Sequence, residues 1–169
     1  LMASLNAGIK EKFGVENAVV SMFNYQVSFN HDKMDSLKAN KKDIIDYVVQ
    51  EVKRQETVLT AFPTANILTS SVPQLLREKL ANGYLPQRCG DVQIILKSGY
   101  IDGGATGTTH GLWYAYDSHI PLLWYGWKIP QGRSAQLVNM ADIAPTVAAL
   151  LGIQEPSGNV GKPIPALVK

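Results

Sequence analysis

The chain has little from which to build a disulfide or a metal cluster. Its 169 residues include one cysteine, Cys89, and three histidines, His31, His110 and His119. A single thiol excludes an intrachain disulfide and leaves the redox compartment unread; a buried or half-buried thiol is the default. Charge is also sparse. Charged residues make up 18% of the chain and the formal net charge is +2, with the basic residues scattered, which argues against a nucleic-acid or membrane-surface footprint. No apolar run approaches the roughly 18 residues of a membrane span. Leu1-Met2-Ala3-Ser4-Leu5-Asn6 lacks the basic start and continuous apolar stretch of a signal peptide. What the chain has in quantity is apolar side chains, 46% of its residues, enough for a core in one or two compact units.

Periodicity organises that material. Leu5, Ile9 and Phe13 recur at helical spacing before Gly14, predicting an opening helix. Ala18-Val19-Val20 is a short apolar run. Phe23, Tyr25, Val27 and Phe29 then alternate with Asn24, Gln26 and Ser28, as in a strand with one buried face, and Asn30-His31-Asp32 reads as the turn that ends it. Ile44, Ile45, Val48, Val49 and Val52 form one stripe of a helix over residues 41–54. Residues 57–62 predict a further strand closed by Pro63. Ser71-Val72-Pro73-Gln74 has capping-box spacing ahead of Leu75, Leu76 and Leu80, with Gly83 as a stop. Residues 92–96 are apolar on both faces, the pattern of a central strand. Residues 120–125 predict another strand, and Asp142-Ile143-Ala144-Pro145 a last helix start before Gly152 and a turn-rich tail.

The run Gly104-Ala105-Thr106-Gly107-Thr108-Thr109-His110-Gly111 places an imidazole between small residues, just beyond a strand, where ligands gather in α/β folds. Such a loop can hold a metal; a loop histidine hydrogen-bonded to backbone is the alternative. Thr108 and Thr109 can shape the loop or supply hydroxyls that orient His110. Asp117 and His119 sit two apart, on one face if the segment is a strand, and are expected to form a hydrogen-bonded structural pair rather than to ligate a metal. Asp142 is a helix cap. Trp113, Tyr114, Tyr116 and Trp124 crowd the loop, either as packing or as a surface for an aryl or nucleotide group. His31, beside Asp32, is expected to be exposed and without a site around it.

Asn82-Gly83-Tyr84, Gly90-Asp91-Val92, Gly107-Thr108-Thr109-His110-Gly111, the stretch from Tyr116 to Gly126, Asp142-Ile143-Ala144-Pro145-Thr146 and Gly161-Lys162-Pro163-Ile164 together resemble the C-terminal part of the alkaline phosphatase superfamily, in its branch of secreted zinc phosphomonoesterases and type I phosphodiesterase/nucleotide pyrophosphatases. The resemblance implies an α/β fold: part of an alkaline-phosphatase-like sheet flanked by helices, plus a small α+β subdomain. It implies two zinc ions in the intact enzyme, one of them held by His110. The family's nucleophile and its Asp-x-x-x-His and Asp-His zinc pairs have no counterpart here. The chain is therefore expected to be the last third of a longer enzyme and inactive alone.

On that reading residues 1–13 lead from the absent catalytic part, 14–70 form the small subdomain and 71–169 belong to the main α/β domain. The strands flanking residues 92–96 are expected to lie mostly in the absent part, leaving an edge through which the fragment can self-associate. The implied activity is hydrolysis of small phosphate esters, with monoesters favoured over diesters, nucleotide pyrophosphates or sulfates. The implied location is periplasmic or secreted, with no nucleic-acid or membrane surface. A non-catalytic packing or binding module from a degenerate homologue is the rival.

Overall fold

The computed structural model describes residues 1–103, 106, 110–126 and 128–168. It divides into two compact units, Leu1–Ile120 and Pro121–Lys169.

The first unit is built on a four-stranded antiparallel sheet in the order β1-β2-β4-β3, with β1 Val19–Ser21, β2 Gln26–Phe29, β3 Val58–Pro63 and β4 Val92–Leu96. β4 is central, as its apolar run requires, but its neighbours come from within the chain. It pairs with β2 through Gln26–Gln93 and Val27–Val92, and with β3 from Val58–Leu96 to Pro63–Val92. The anticipated open edge at β4 does not exist. The sheet ends instead at β1, three residues long, and at β3, which carries a register shift between Val58 and Thr60; short and bulged edges of this kind discourage further pairing.

All five residues of β4 are buried, and the period of two sorts them. Val92, Ile94 and Leu96 enter a core with Leu5 and Ile9 of helix α1 (Met2–Phe13) and Ile44, Val48 and Val52 of helix α3 (Lys41–Lys53). Ile95 faces a smaller cluster with Phe62, Ile67, Val72 and Leu76, the last on helix α4 (Gln74–Gly83). α1 stops at Gly14, whose φ of 70° suits the left-handed conformation and whose N–H returns to the Lys10 carbonyl at 3.0 Å. Asn40 caps α3, its side chain accepting from the Asp43 N–H.

Four local expectations are corrected. The alternation from Phe23 is not all strand: Asn24 and Tyr25 have φ of 51° and 58°, so the chain turns there and Phe23 is 75% exposed. Asn30-His31-Asp32 does not simply turn; the Asn30 side chain accepts from the Lys33 N–H and starts helix α2 (His31–Ser36). Ser71 makes no capping box, because α4 begins only at Gln74, whose side-chain amide donates to Glu78 at 2.7 Å. Residues 120–125 form no strand: an extended segment becomes one only when a second strand takes its amides, and none does among the described residues.

The second unit centres on helix α6 (Ile143–Leu151), preceded by a 3₁₀ turn, Met140–Asp142, and ended by Gly152 at φ 67°. Its tail is stitched to the helix start. The Thr146 hydroxyl donates to the Asp142 carbonyl at 2.6 Å and accepts from the Ile164 N–H at 2.9 Å. Asp142 does not cap α6, against expectation, because its carboxylate is taken by the preceding turn and the tail: one oxygen accepts from the Asn139 N–H at 2.8 Å and the other from the Lys162 N–H at 2.9 Å. Gly161 passes so close that a Cβ there would lie 2.1 Å from the Ala141 carbonyl oxygen.

Candidate functional site

The loop around His110 is pinned to the C-terminal end of β4. Leu112 is buried in the main core and Trp113 packs on the smaller cluster. The Tyr114 hydroxyl donates to the Leu96 carbonyl at 2.9 Å, and the Tyr116 hydroxyl accepts from the Gly99 N–H at 3.0 Å. Tyr114 and Tyr116 stack with centroids 5.7 Å apart. Packing thus accounts for Trp113 and Tyr114, while Tyr116 is 62% exposed. Gly111 crosses the face of Tyr25: its φ is 135°, and a Cβ would lie 2.9 Å from the Tyr25 ring. Only glycine meets both conditions.

Asp117 organises this loop. It lies on the short helix α5 (Ala115–Ser118), which turns its carboxylate back toward the chain leading in. Oδ2 accepts from the Gly111 and Leu112 N–H groups at 3.0 and 2.6 Å, and Oδ1 lies 3.2 Å from His110 Nδ1. The Leu112 N–H first, with the His110 ring and the Gly111 N–H, holds the Asp117 carboxyl below the usual carboxylate range, against the opposing effect of burial. The Asp117 side chain is 11% exposed and that of His110 93%.

The expected Asp117–His119 pair is therefore corrected. A helical turn, unlike a strand, sends residues two apart to different sides; Asp117 takes His110, and His119 is exposed, its N–H closing α5 on the Ala115 carbonyl at 2.9 Å. Thr108 and Thr109, with most of the glycine-threonine run, lie outside the described residues. His31 is half-exposed and has a partner, its Nε2 2.8 Å from Asp91 Oδ1.

Asp91 was missed as a structural residue. Its second oxygen accepts from the Phe29 N–H at 2.9 Å, its N–H donates to the Val27 carbonyl, and its carbonyl accepts from the Thr64 N–H. Beside it a Cβ on Gly90 would meet Gln26 and the Val27 carbonyl inside 3.0 Å. Gly90-Asp91-Val92 is thus a joint that starts β4 between its neighbours. A Gly-Asp pair ahead of an apolar run was the available signal.

Among the described residues, no three of His, Cys, Asp and Glu group as metal ligands. His110 nonetheless fits a metal. Metal-binding imidazoles almost always give their second nitrogen to a carboxylate or carbonyl, and the Asp117 carboxylate lies 3.2 Å from His110 Nδ1.

No protein-family model matches the chain. Among curated proteins it is 47% identical to alkaline phosphatase PafA of Elizabethkingia meningoseptica over 165 residues, 97% of this chain and 30% of the relative. A crystal structure of wild-type PafA superposes with a TM-score of 0.95 at 46% identity, over 99% of this chain and 32% of that one. The chain belongs to the alkaline phosphatase superfamily. A multiply substituted PafA variant gives the same TM-score of 0.95. Two further relatives are alkaline phosphatase PhoV of Synechococcus elongatus, 42% identical over 88% of this chain and 27% of its own, and a protein named calcium-transporting ATPase of Myroides odoratus, 38% identical over 95% and 30%. The chain spans about 30% of the length of the alkaline phosphatases it resembles.

Proposed function

We propose that the intact protein is a zinc-dependent phosphomonoesterase in which His110 is one metal ligand, bound through Nε2. The observation that carries this reading is the contact of His110 Nδ1 with an anchored carboxylate, in a chain 47% identical to a protein named alkaline phosphatase. Zinc ions in such a site supply activation of a hydroxyl nucleophile and charge stabilisation for in-line displacement at phosphorus. The part played by this chain is to hold the His110 ring at the end of β4, with the 3.2 Å contact to Asp117 fixing its rotation. Monoesters are favoured because two of the three relatives are named alkaline phosphatases. A periplasmic or secreted location goes with the family resemblance.

Replacing His110 with alanine in the full-length protein tests this. Phosphatase activity is expected to fall by at least about 100-fold with loss of bound zinc and an unchanged fold. Wild-type turnover and zinc content would overturn the assignment and leave the non-catalytic reading. The 169-residue chain alone is expected to hydrolyse no p-nitrophenyl phosphate, since one ligand does not hold zinc in place.

A further inference from the structure

We propose that Asp117 is the positioning residue of His110: it keeps the imidazole proton on Nδ1, so that the lone pair that serves zinc is the one on Nε2. The inference rests on the reading of His110 as a ligand and assigns the residue that makes it one.

The geometry gives Asp117 two separate tasks on its two oxygens. Oδ2 accepts both backbone N–H groups that follow His110, from Gly111 and Leu112, so the carboxylate is fixed to the same stretch of chain as the ring it faces. Oδ1 is then left at 3.2 Å from Nδ1, within hydrogen-bonding range. A carboxylate only accepts, so the hydrogen of that bond sits on the ring, and the neutral imidazole carries its lone pair at Nε2. Zinc binds the lone pair; the opposite tautomer would present a hydrogen there.

The two-oxygen division also supplies the test. In Asp117→Asn the amide oxygen can keep both backbone N–H groups, and the amide NH₂ then faces Nδ1. A donor facing Nδ1 favours the tautomer with its hydrogen on Nε2. The loop is held while the ring is turned against metal.

In full-length protein labelled with ¹⁵N-histidine, the His110 signals are assigned by their absence from His110→Ala. Metal-free Asp117→Asn is expected to move the hydrogen from Nδ1 to Nε2, while Gly111 and Leu112 keep their amide protection. Its zinc affinity, measured by competition with a chelator, is expected to fall by about 10- to 100-fold. Asp117→Ala, which loses the backbone anchor as well, is expected to weaken zinc binding and to lose the amide protection.

Unchanged His110 nitrogen shifts in Asp117→Asn, or wild-type zinc affinity in that variant while His110→Ala loses zinc, would overturn the proposal. A tautomer switch in Asp117→Asn combined with full zinc occupancy in His110→Ala would remove the ligand assignment and leave the hold of Asp117 on the ring standing. The two failures are thereby told apart.

Discussion

The two units hold themselves together differently. The first buries apolar side chains on both faces of a sheet, with Leu5, Ile9, Ile44, Val48 and Val92 all at 2% exposure or less. The second, taken by itself, relies on backbone stitches around one nine-residue helix: Asp142, Thr146 and the close pass of Gly161. It leaves Leu123, Tyr125, Leu137 and Val160 between 63% and 103% exposed. A close-packed apolar core feels the loss of even one methylene, whereas a stitched tail depends on a few hydrogen bonds and on one residue having no side chain.

If that contrast is right, the largest loss comes from the core of the first unit. Ile44→Ala removes a wholly buried side chain and is expected to cost about 2–5 kcal/mol in denaturant unfolding. Leu151→Ala on α6, 60% exposed, is expected to stay within about 0.5 kcal/mol; equal losses would erase the distinction. Next comes Gly161→Ala, whose Cβ must displace either the tail or the Ala141 carbonyl. It is expected to cost about 1–3 kcal/mol and to speed amide exchange at Lys162 and Ile164 while β4 stays protected.

A sharper probe of the stitching is Thr146→Val, which keeps the shape and leaves the Ile164 N–H unpaired. About 1–3 kcal/mol is expected, and unchanged exchange at Ile164 would show that the hydroxyl is not what holds the tail.

The smallest effect belongs to an exposed pair in the first unit, Lys10 and Glu16, 2.7 Å apart. Their hydrogen bond and opposite charges lower the Glu16 pKa and raise that of Lys10. The depressed carboxylate stabilises above its unfolded-state pKa and loses that contribution as pH falls through its folded value. The raised ammonium stabilises below its unfolded-state pKa and loses it as pH rises through the folded one. Glu16→Gln should therefore differ slightly from wild type near neutral pH and not at all in acid below the carboxylate range, and added salt should shrink the difference. A difference persisting in acid would assign it to something other than charge.

What sequence made legible was whatever depends on neighbours along the chain. α1, α3 and β4 follow from the spacing of Leu5 and Ile9, of Ile44, Val48 and Val52, and from the unbroken Val92–Leu96 run. Strand partners were not legible, since β4 finds β2 about 65 positions back and periodicity does not encode which strand lies beside which. Tyr25 defeated a strand reading by taking a positive φ, a conformation its residue type does not advertise. At the site, small neighbours drew attention to His110. Its partner stayed hidden because the Asp117–His119 spacing was read on a strand, and one turn of helix sends Asp117 elsewhere.

The central place of β4 bears on how the molecule comes to be made. Its two neighbours, β2 and β3, precede it in the chain and are bonded to it rather than to each other. During synthesis from the N-terminus, both wait for their middle strand while about 30 further residues are added after Pro63. Until then β2 has only β1 beside it, and β3, with Ala61 and Phe62, has no strand beside it at all. Such non-local pairing folds slowly and exposes sticky surface meanwhile. The interval between the emergence of β3 and that of β4 is thus when this sheet leaves the most strand edge unpaired.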